Sequence, residues 1–127
     1  MRIGELAAQT GVPDRLLRYY EQRGLLTPRR TASNQRVFEP DDVIRVGTIK
    51  ALLAAGLNTA TIAKLLPCTE NRLGQLLPTC SVAVSHLARE RSRLSASITR
   101  LEDSRQALDG ILAAVPTAFA ESGSAKP

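Results

Sequence analysis

The strongest limit on the fold of this chain is a long, mostly apolar repeat in its second half. The repeat runs from Cys80 to Val115 in alternating steps of four and three residues, and no proline or glycine interrupts it before Gly110. It comprises Cys80, Val84, Leu87, Arg91, Leu94, Ile98, Leu101, Arg105, Leu108, Leu112 and Val115. A spacing of about 3.5 residues predicts a coiled coil, because one helix of about 35 residues cannot bury such a face alone. One chain supplies one such helix, so we expect a homodimer through residues 80–115, in which Arg91 and Arg105 weaken the contact but either fix its register or pair with acidic groups across it.

The first half of the chain has a different pattern, that of short amphipathic helices separated by glycines. Two helices are predicted before residue 24, with a tight turn at Gly11 between them and Gly24 at the end of the second. Pro13 suits the first position of the second helix, because its missing N–H has no partner there. The predicted inward faces comprise Ile3, Leu6, Ala7 and Thr10, and then Leu16, Leu17 and Tyr20. This arrangement predicts a helix-turn-helix.

The segment 27–38 has no helical period and combines proline, serine, asparagine and arginine, which is typical of a small β-wing or a surface loop. A third helix is predicted from Pro40 to Gly56, with Val43, Val46, Ile49, Lys50 and Leu53 as its repeat. A fourth, capped by Asn58, ends at Pro67. Residues 1–67 therefore form one predicted domain, 68–79 a linker, 80–115 the long helix and 116–127 a flexible tail. The fold class is mostly α.

The charge of the chain lies mainly in its first half. The sequence has 17 Lys and Arg against 12 Asp and Glu, a net charge of +5, and residues 1–67 hold ten basic and six acidic side chains. Such an excess suits a polyanion partner, although a basic surface that only aids solubility explains it equally well. No apolar run is long enough to span a bilayer and the N-terminus lacks a secretory signal, so we expect no membrane partner and a cytoplasmic location.

The motif "GVPDRLLRYYEQRGLL" at residues 11–26, followed by "RVF" at 36–38 and "ALLAAGLNTATIAKLL" at 51–66, resembles the MerR family of bacterial transcription regulators. The resemblance covers residues 1–67, and the long helix is similar in position to the family's antiparallel dimerisation helix. It implies a winged helix-turn-helix dimer that places its second helix in the major groove of double-stranded promoter DNA. It further implies a palindromic site, distortion of that site to switch transcription, and RNA polymerase on the same promoter.

The resemblance also implies roles for individual residues. Arg18 and Tyr19 correspond to the family's phosphate contacts, and Arg36 corresponds to its wing arginine, with Arg30 nearby. Arg15, near the helix start, is the candidate for a contact with a base edge, and Lys50 is a further basic candidate. For each of these cations, the alternative is a solvated surface charge. The sequence departs from the family at the wing, where Asn34, Gln35 and Arg36 replace the usual Gly-Tyr-Arg, and at Pro13 and Leu16.

The two cysteines, Cys68 and Cys80, allow three interpretations. They are buried small hydrophobic residues, or a redox-active pair whose disulfide would tie the fourth helix to the fifth, closing a loop worth about 3 kcal/mol. The third interpretation is a soft-metal site formed by Cys68 and Cys80, either with His86 or with the same cysteines of a second subunit, although zinc normally takes four ligands. His86 is expected on the helix surface, and no metal or other cofactor is predicted.

No arrangement of residues typical of catalysis is visible, so the chain is not expected to be an enzyme. The predicted function is that of a MerR-type regulator. Its expected effector is either an oxidant, sensed through the thiols of Cys68 and Cys80, or a small molecule. Two alternatives remain: a repressor or architectural DNA-binding protein without an effector, and a coiled-coil interaction module without a DNA function.

Overall fold

The computed structural model describes residues 1–116. In chain order its elements are α1 (Ile3–Thr10), α2 (Asp14–Gln22), β1 (Arg29–Arg30), β2 (Arg36–Val37), α3 (Pro40–Ala54), α4 (Thr59–Leu65), a 3-10 turn (Leu66–Cys68), β3 (Thr69–Arg72), β4 (Gln75–Pro78) and α5 (Ser81–Ala113). The prediction of a mostly α chain is confirmed. The chain divides into two compact units, Met1–Leu87 and the residues from Ala88 onward, so that α5 begins in the first and continues into the second.

The first unit has one hydrophobic core, to which every helix from α1 to the start of α5 contributes. Its fully buried side chains are Leu6, Leu17, Tyr20, Leu25, Leu26, Phe38, Val46, Ile49, Ile62, Leu65 and Ala83. The predicted inward position of Leu16 is wrong, because this side chain is 39% exposed. Successive helix residues point about 100° apart, so a helix that buries Leu17 and Tyr20 turns Leu16 to the flank of that face.

The turns around α2 follow from backbone conformations that glycine adopts without strain. Gly11 has φ 72° and its amide donates to the Ala7 carbonyl, which ends α1. Gly24 has φ 79°, and beyond it the amide of Leu25 donates to the Tyr20 carbonyl, a Schellman-type closure of α2. Pro13 precedes the first residue of α2 as its N-cap, one position earlier than predicted.

The third and fourth helices begin as the sequence predicts. Pro40 is the first residue of α3, and the Glu39 amide donates to the Asp42 carboxylate at 2.8 Å. Asn58 caps α4, since its side-chain oxygen accepts from the Thr61 amide at 2.8 Å. Capping side chains of this kind satisfy amides that have no partner within the helix.

The predicted linker 68–79 contains a β-hairpin, which the sequence analysis did not identify. β3 and β4 pair antiparallel with Glu70 opposite Leu77, and both turn residues, Leu73 and Gly74, have positive φ. Two-residue hairpin turns of this type usually contain Asn-Gly, and leucine at the first position hides the signal. The hairpin packs on α3, where the Asn71 amide nitrogen donates to the buried Thr48 hydroxyl at 3.2 Å.

The helix α5 is 33 residues long, close to the predicted 80–115, with Cys80 directly before its first residue. Within the second unit, Val115 at the end of the repeat is half-buried, but the apolar side chains of the repeat before it are all at least 49% exposed. They comprise Leu94, Ile98, Leu101, Leu108 and Leu112, which we call the seam together with Arg91 and Arg105. None of the described helices is both long and apolar enough to cross a membrane. The predicted tail is described only at Pro116, and residues 117–127 lie outside the described range.

Candidate nucleic-acid interface

One face of α2 carries three of the six residues predicted to contact DNA. Burial of Leu17 and Tyr20 turns Arg15, Arg18 and Tyr19 outward, and their spacing of three and four residues places them side by side. Tyr19 is 44% exposed, whereas Tyr20 is 2% exposed and belongs to the core, as predicted. We call Arg15, Leu16, Arg18 and Tyr19 the α2 face.

The charges of the α2 face are only weakly engaged within the chain. Arg18 approaches Asp14 one turn earlier at 3.5 Å, with both side chains more than half exposed. An exposed pair of this type contributes about 0.2–1 kcal/mol, so the Arg18 guanidinium can leave it for a stronger anion at little cost. The hydroxyl of Tyr19 and the cation of Arg18 are the donors that suit phosphate oxygens.

The wing is the two-stranded sheet of β1 and β2 with the turn between them, residues 29–37. Asn34 has φ 63°, in the left-handed region that asparagine tolerates better than most residues. Its amide donates to the Thr31 carbonyl at 2.8 Å. Asn34, which replaces the first residue of the usual Gly-Tyr-Arg, therefore forms the wing turn in a conformation that glycine also adopts.

Glu21 joins the wing to α2. One carboxylate oxygen accepts from Arg36 Nε at 2.6 Å and the other from an Arg30 guanidinium nitrogen at 3.0 Å. The Arg30 side chain also donates to the Asn34 carbonyl at 3.2 Å. The two predicted wing arginines are thus brought together by a carboxylate that the sequence analysis did not select. Arg36 is the more enclosed of the two, with its side chain 28% exposed against 39% for Arg30.

The ionisation of Glu21 reflects this double pairing. Partial burial alone would raise the pKa of its carboxyl group, but the hydrogen bond and charge of Arg36, with those of Arg30, outweigh burial and lower the pKa below its ordinary value. The carboxylate therefore stays charged at neutral pH, and it holds the wing through two cations.

We expect Glu21→Gln to destabilise the first unit by about 1 kcal/mol near neutral pH, because two partly buried ion pairs are lost. A lowered pKa in the folded state stabilises the protein above the ordinary glutamate pKa of about 4.3, and this contribution disappears as pH falls below it. Urea unfolding at a series of pH values should show that the free energies of unfolding of wild type and Glu21→Gln converge in acid. Glu70→Gln, which removes an exposed partner of Arg72, is the control. A difference in the free energy of unfolding between wild type and Glu21→Gln that stays constant down to about pH 3 would contradict this role of Glu21.

Two further cations lie at junctions of the first unit. Lys50, predicted as a DNA contact, lies beside the turn between α1 and α2, where its ammonium group donates to the Thr10 carbonyl at 3.4 Å. Arg23, which was not predicted, donates from Nε to the Thr59 hydroxyl at 3.0 Å and so links the end of α2 to the start of α4. Arg29 pairs with Glu39 at 2.5 Å on the exposed side of the wing.

The two cysteines form a disulfide, with 5.5 Å between their Cα atoms. This bond is the pairing that the interpretation as a redox-active pair requires. The interpretation as two buried, unpaired cysteines does not hold, because the cysteines are bonded to each other and half-buried. The pair joins the turn after α4 to the start of α5, across the base of the β3–β4 hairpin. No group of three or more metal-ligating side chains occurs among residues 1–116. His86, predicted on the helix surface, lies in α5 and is half-buried.

Comparisons with known proteins agree with this architecture. The profile of the MerR helix-turn-helix family of regulatory proteins matches residues 1–68. The curated transcriptional regulator HmrR of Sinorhizobium medicae is 33% identical over 97 residues, which cover 76% of this chain and 66% of HmrR. Against the first curated relatives that it matches, the chain spans between about half and two thirds of their length.

Solved structures show the same fold. The N-terminal part of MtaN, the Bacillus subtilis multidrug transporter activator, superposes with a TM-score of 0.66 at 20% identity, covering 88% of this chain and 97% of that one. HiNmlR, a MerR family regulator lacking the sensor domain and bound to promoter DNA, superposes with a TM-score of 0.55 at 20% identity, covering 98% and 93%.

Proposed function

Because this chain belongs to the MerR family of helix-turn-helix regulatory proteins, we propose that it binds a palindromic promoter site as a homodimer and regulates transcription from that promoter. It is a regulator of transcription rather than an enzyme, as the family is. The observation that carries the proposal is the α2 face, on which two arginines and a tyrosine project from a helix whose opposite side is fixed in the core.

In this proposal α2 enters the major groove. Its first turn reads the bases, because the N-terminal residues of a recognition helix lie nearest the base edges. Arg15 is placed to donate two hydrogen bonds to guanine, and the exposed methyl groups of Leu16 suit the methyl group of thymine. Arg18 and Tyr19, one turn later, contact phosphates and fix the register of the helix.

The wing contacts the DNA backbone beside α2. Glu21 neutralises part of the charge of Arg30 and Arg36, so we assign Arg36 chiefly to holding the wing in place, and Arg30 and Arg29 to the phosphates. Lys50 supports the proposal less directly, since it already binds the carbonyl at the end of α1.

The dimer forms along α5. The seam presents apolar side chains at intervals of three and four residues with no cover from the described part of the chain, which is the pattern of a helix that pairs with another. An antiparallel pair of α5 helices would give two α2 faces related by a two-fold axis, and such symmetry matches a palindrome.

Transcription is switched in this proposal by distortion of the promoter. Bending a DNA site of about 20–30 base pairs costs about 1–6 kcal/mol, and the contacts made by two bound units can offset that cost. RNA polymerase on the same promoter is the second partner, and an effector selects between two states of the dimer. A protein with these partners works in the bacterial cytoplasm, where the promoter DNA is.

The proposal is tested by selecting duplexes from a random library with the purified full chain and measuring affinity against salt. We expect an inverted repeat and a log–log salt slope of several units. If the protein selects no duplex from the library and binds DNA in no salt-dependent way, it is a protein-interaction module instead. Bending of the duplex or repression of transcription that no effector alters would favour the alternative without an effector, an architectural protein or a simple repressor.

We expect Arg15→Ala to relax specificity at one position of each half-site, with a loss of about 1–3 kcal/mol of discrimination there and little change on unrelated DNA. The measurement compares the selected duplex with single-base variants. Lys64→Ala, which removes an exposed charge from α4, is the matched control. Equal weakening on all sequences would reassign Arg15 to the phosphates.

A further inference from the structure

The disulfide between Cys68 and Cys80 lies where one covalent bond joins three parts of the fold. Cys68 ends the 3-10 turn that follows α4, Cys80 precedes α5, and the β3–β4 hairpin forms the loop between them. The Thr79 amide donates to the Cys68 carbonyl at 2.8 Å, so the hairpin ladder extends to the residues beside the bond. The start of α5 is thus fixed to the DNA-binding unit both by this ladder and by a removable covalent link.

We propose that Cys68 and Cys80 form a thiol–disulfide exchange site, whose substrates are low-molecular-weight thiols and their disulfides, and that its redox state sets the affinity of the protein for DNA. The regulatory part of this inference rests on the function proposed above. The exchange itself rests on the cysteine pair alone and is measured separately.

The location of the pair favours exchange over a permanent crosslink. Both cysteines are half-buried at the edge of the core rather than sealed inside it, which leaves a path for a small thiol. A protein that works beside DNA in a reducing compartment rarely keeps structural disulfides, and bonds that form there are usually transient or redox-sensing.

The two sulfur atoms differ in their surroundings. The Cys80 carbonyl accepts the first hydrogen bond of α5, from the Val84 amide at 3.2 Å, so Cys80 occupies the N-cap position of a 33-residue helix. The positive end of a helix dipole stabilises a thiolate. We therefore assign Cys80 as the leaving group and Cys68 as the sulfur that is attacked.

The reaction is balanced without any further reactant. An incoming thiolate attacks Cys68 Sγ, the bond to Cys80 breaks, and Cys80 leaves as a thiolate. A second thiolate then attacks the mixed disulfide, forms the small-molecule disulfide and releases Cys68 as a thiolate. Two electrons pass from the two small thiols to the protein, and the two protons that they lose go to solvent or to the new cysteine thiolates.

Reduction removes the covalent attachment of α5, and the hydrogen bonds of the hairpin ladder, no longer closed by the disulfide, then open more often. Ala83, in the first turn of α5, is fully buried, and Leu87 packs against the same core, so these side chains and the hairpin ladder then hold the start of the helix without a covalent link. The oxidised protein, with a more rigid start to α5, is the form that binds DNA more tightly, because less motion has to be frozen on binding.

The experiment uses the full chain in glutathione buffers of varied ratio. Mass spectrometry counts thiols, hydrogen exchange follows residues 76–84, and titration with the selected palindrome gives affinity. We expect reduced glutathione to open the bond, exchange to rise across 76–84, and affinity to fall about tenfold, within the usual range for coupled sites. The double variant Cys68→Ser, Cys80→Ser should match the reduced protein and ignore the buffer.

Single variants test the assignment of the leaving group. Cys80 in the Cys68→Ser variant should react faster with iodoacetamide at neutral pH than Cys68 does in the Cys80→Ser variant. The reverse order would contradict this assignment. If serine variants do not fold, wild-type protein with and without reductant still gives the exchange and affinity data.

A bond that survives reduced glutathione would overturn the proposal, since structural disulfides resist that pool. So would a bond that opens with no change in hydrogen exchange at 76–84 or in affinity. Failure to bind DNA in either redox state would instead overturn the proposed function, and thiol counts with hydrogen exchange would still decide the exchange site.

Discussion

Replacing two seam residues, Ile98→Asp together with Leu101→Asp, is expected to convert the protein from a dimer to a monomer and to weaken its binding to the palindromic site by about 10²–10⁴-fold. The two side chains are 55% and 62% exposed on a single chain, and pairing of two α5 helices would bury both. Aspartate in a coiled-coil seam places a charge in an apolar contact without a partner. A monomer then loses the avidity of two linked DNA-binding units, which accounts for the size of the effect.

The measurement is molar mass by light scattering at micromolar concentration, with titration of the palindrome in the same buffer. Ala96→Asp is the matched control, since Ala96 is exposed and lies on the side of α5 opposite Ile98 and Leu101. The change from alanine to aspartate lowers helix propensity by at least as much as either seam substitution does, but it leaves the seam intact. A double variant that remains a dimer with full affinity would show that the seam is not the interface.

Replacing Arg18 with alanine is expected to weaken binding to all DNA sequences alike, by at least about tenfold for each subunit, because a charge-assisted hydrogen bond to phosphate is lost. The salt slope should fall by about one for each subunit and thus by about two for the dimer. Unlike the Arg15 variant, this protein should keep its preference between the selected duplex and its single-base variants.

The control for this variant is Arg100→Ala, which removes the same charge from an exposed site on α5. Affinity and slope are measured between 50 and 200 mM salt for the palindrome and for an unrelated duplex. An Arg18 variant with an unchanged slope would show that this guanidinium does not reach a phosphate, and the docking of α2 would then need revision.

The helices could be predicted from the sequence because their signals are local. Gly11 and Gly24 end helices through backbone conformations that other residues avoid, and Pro40 and Asn58 mark helix starts through groups within four residues of themselves. The family profile matches residues 1–68, in agreement with the motif that suggested the family. Arg18 and Tyr19 were predicted on the exposed side of α2, and they lie there.

The predictions that failed concern contacts with more distant parts of the chain. The apolar character of Leu16 predicts an inward side chain, but the burial of Leu17 and Tyr20 turns Leu16 to the flank of that face. The hairpin at 69–78 was missed because Leu73 stands at the turn position where asparagine is usual. Glu21 was not selected because no local pattern marks a carboxylate whose partners lie 9 and 15 residues away.

The sequence by itself therefore determined where the helices begin and end and which family the chain resembles, and from its long apolar repeat it predicts a partner helix. Each of these depends on residues within a few turns of one another. The tertiary structure alone decided that Glu21 fastens the wing, that Asn71 reaches Thr48 across 23 positions, and that Cys68 meets Cys80. These contacts exist because a shared core brings separate segments together, and the geometry of that packing cannot be read from any one segment.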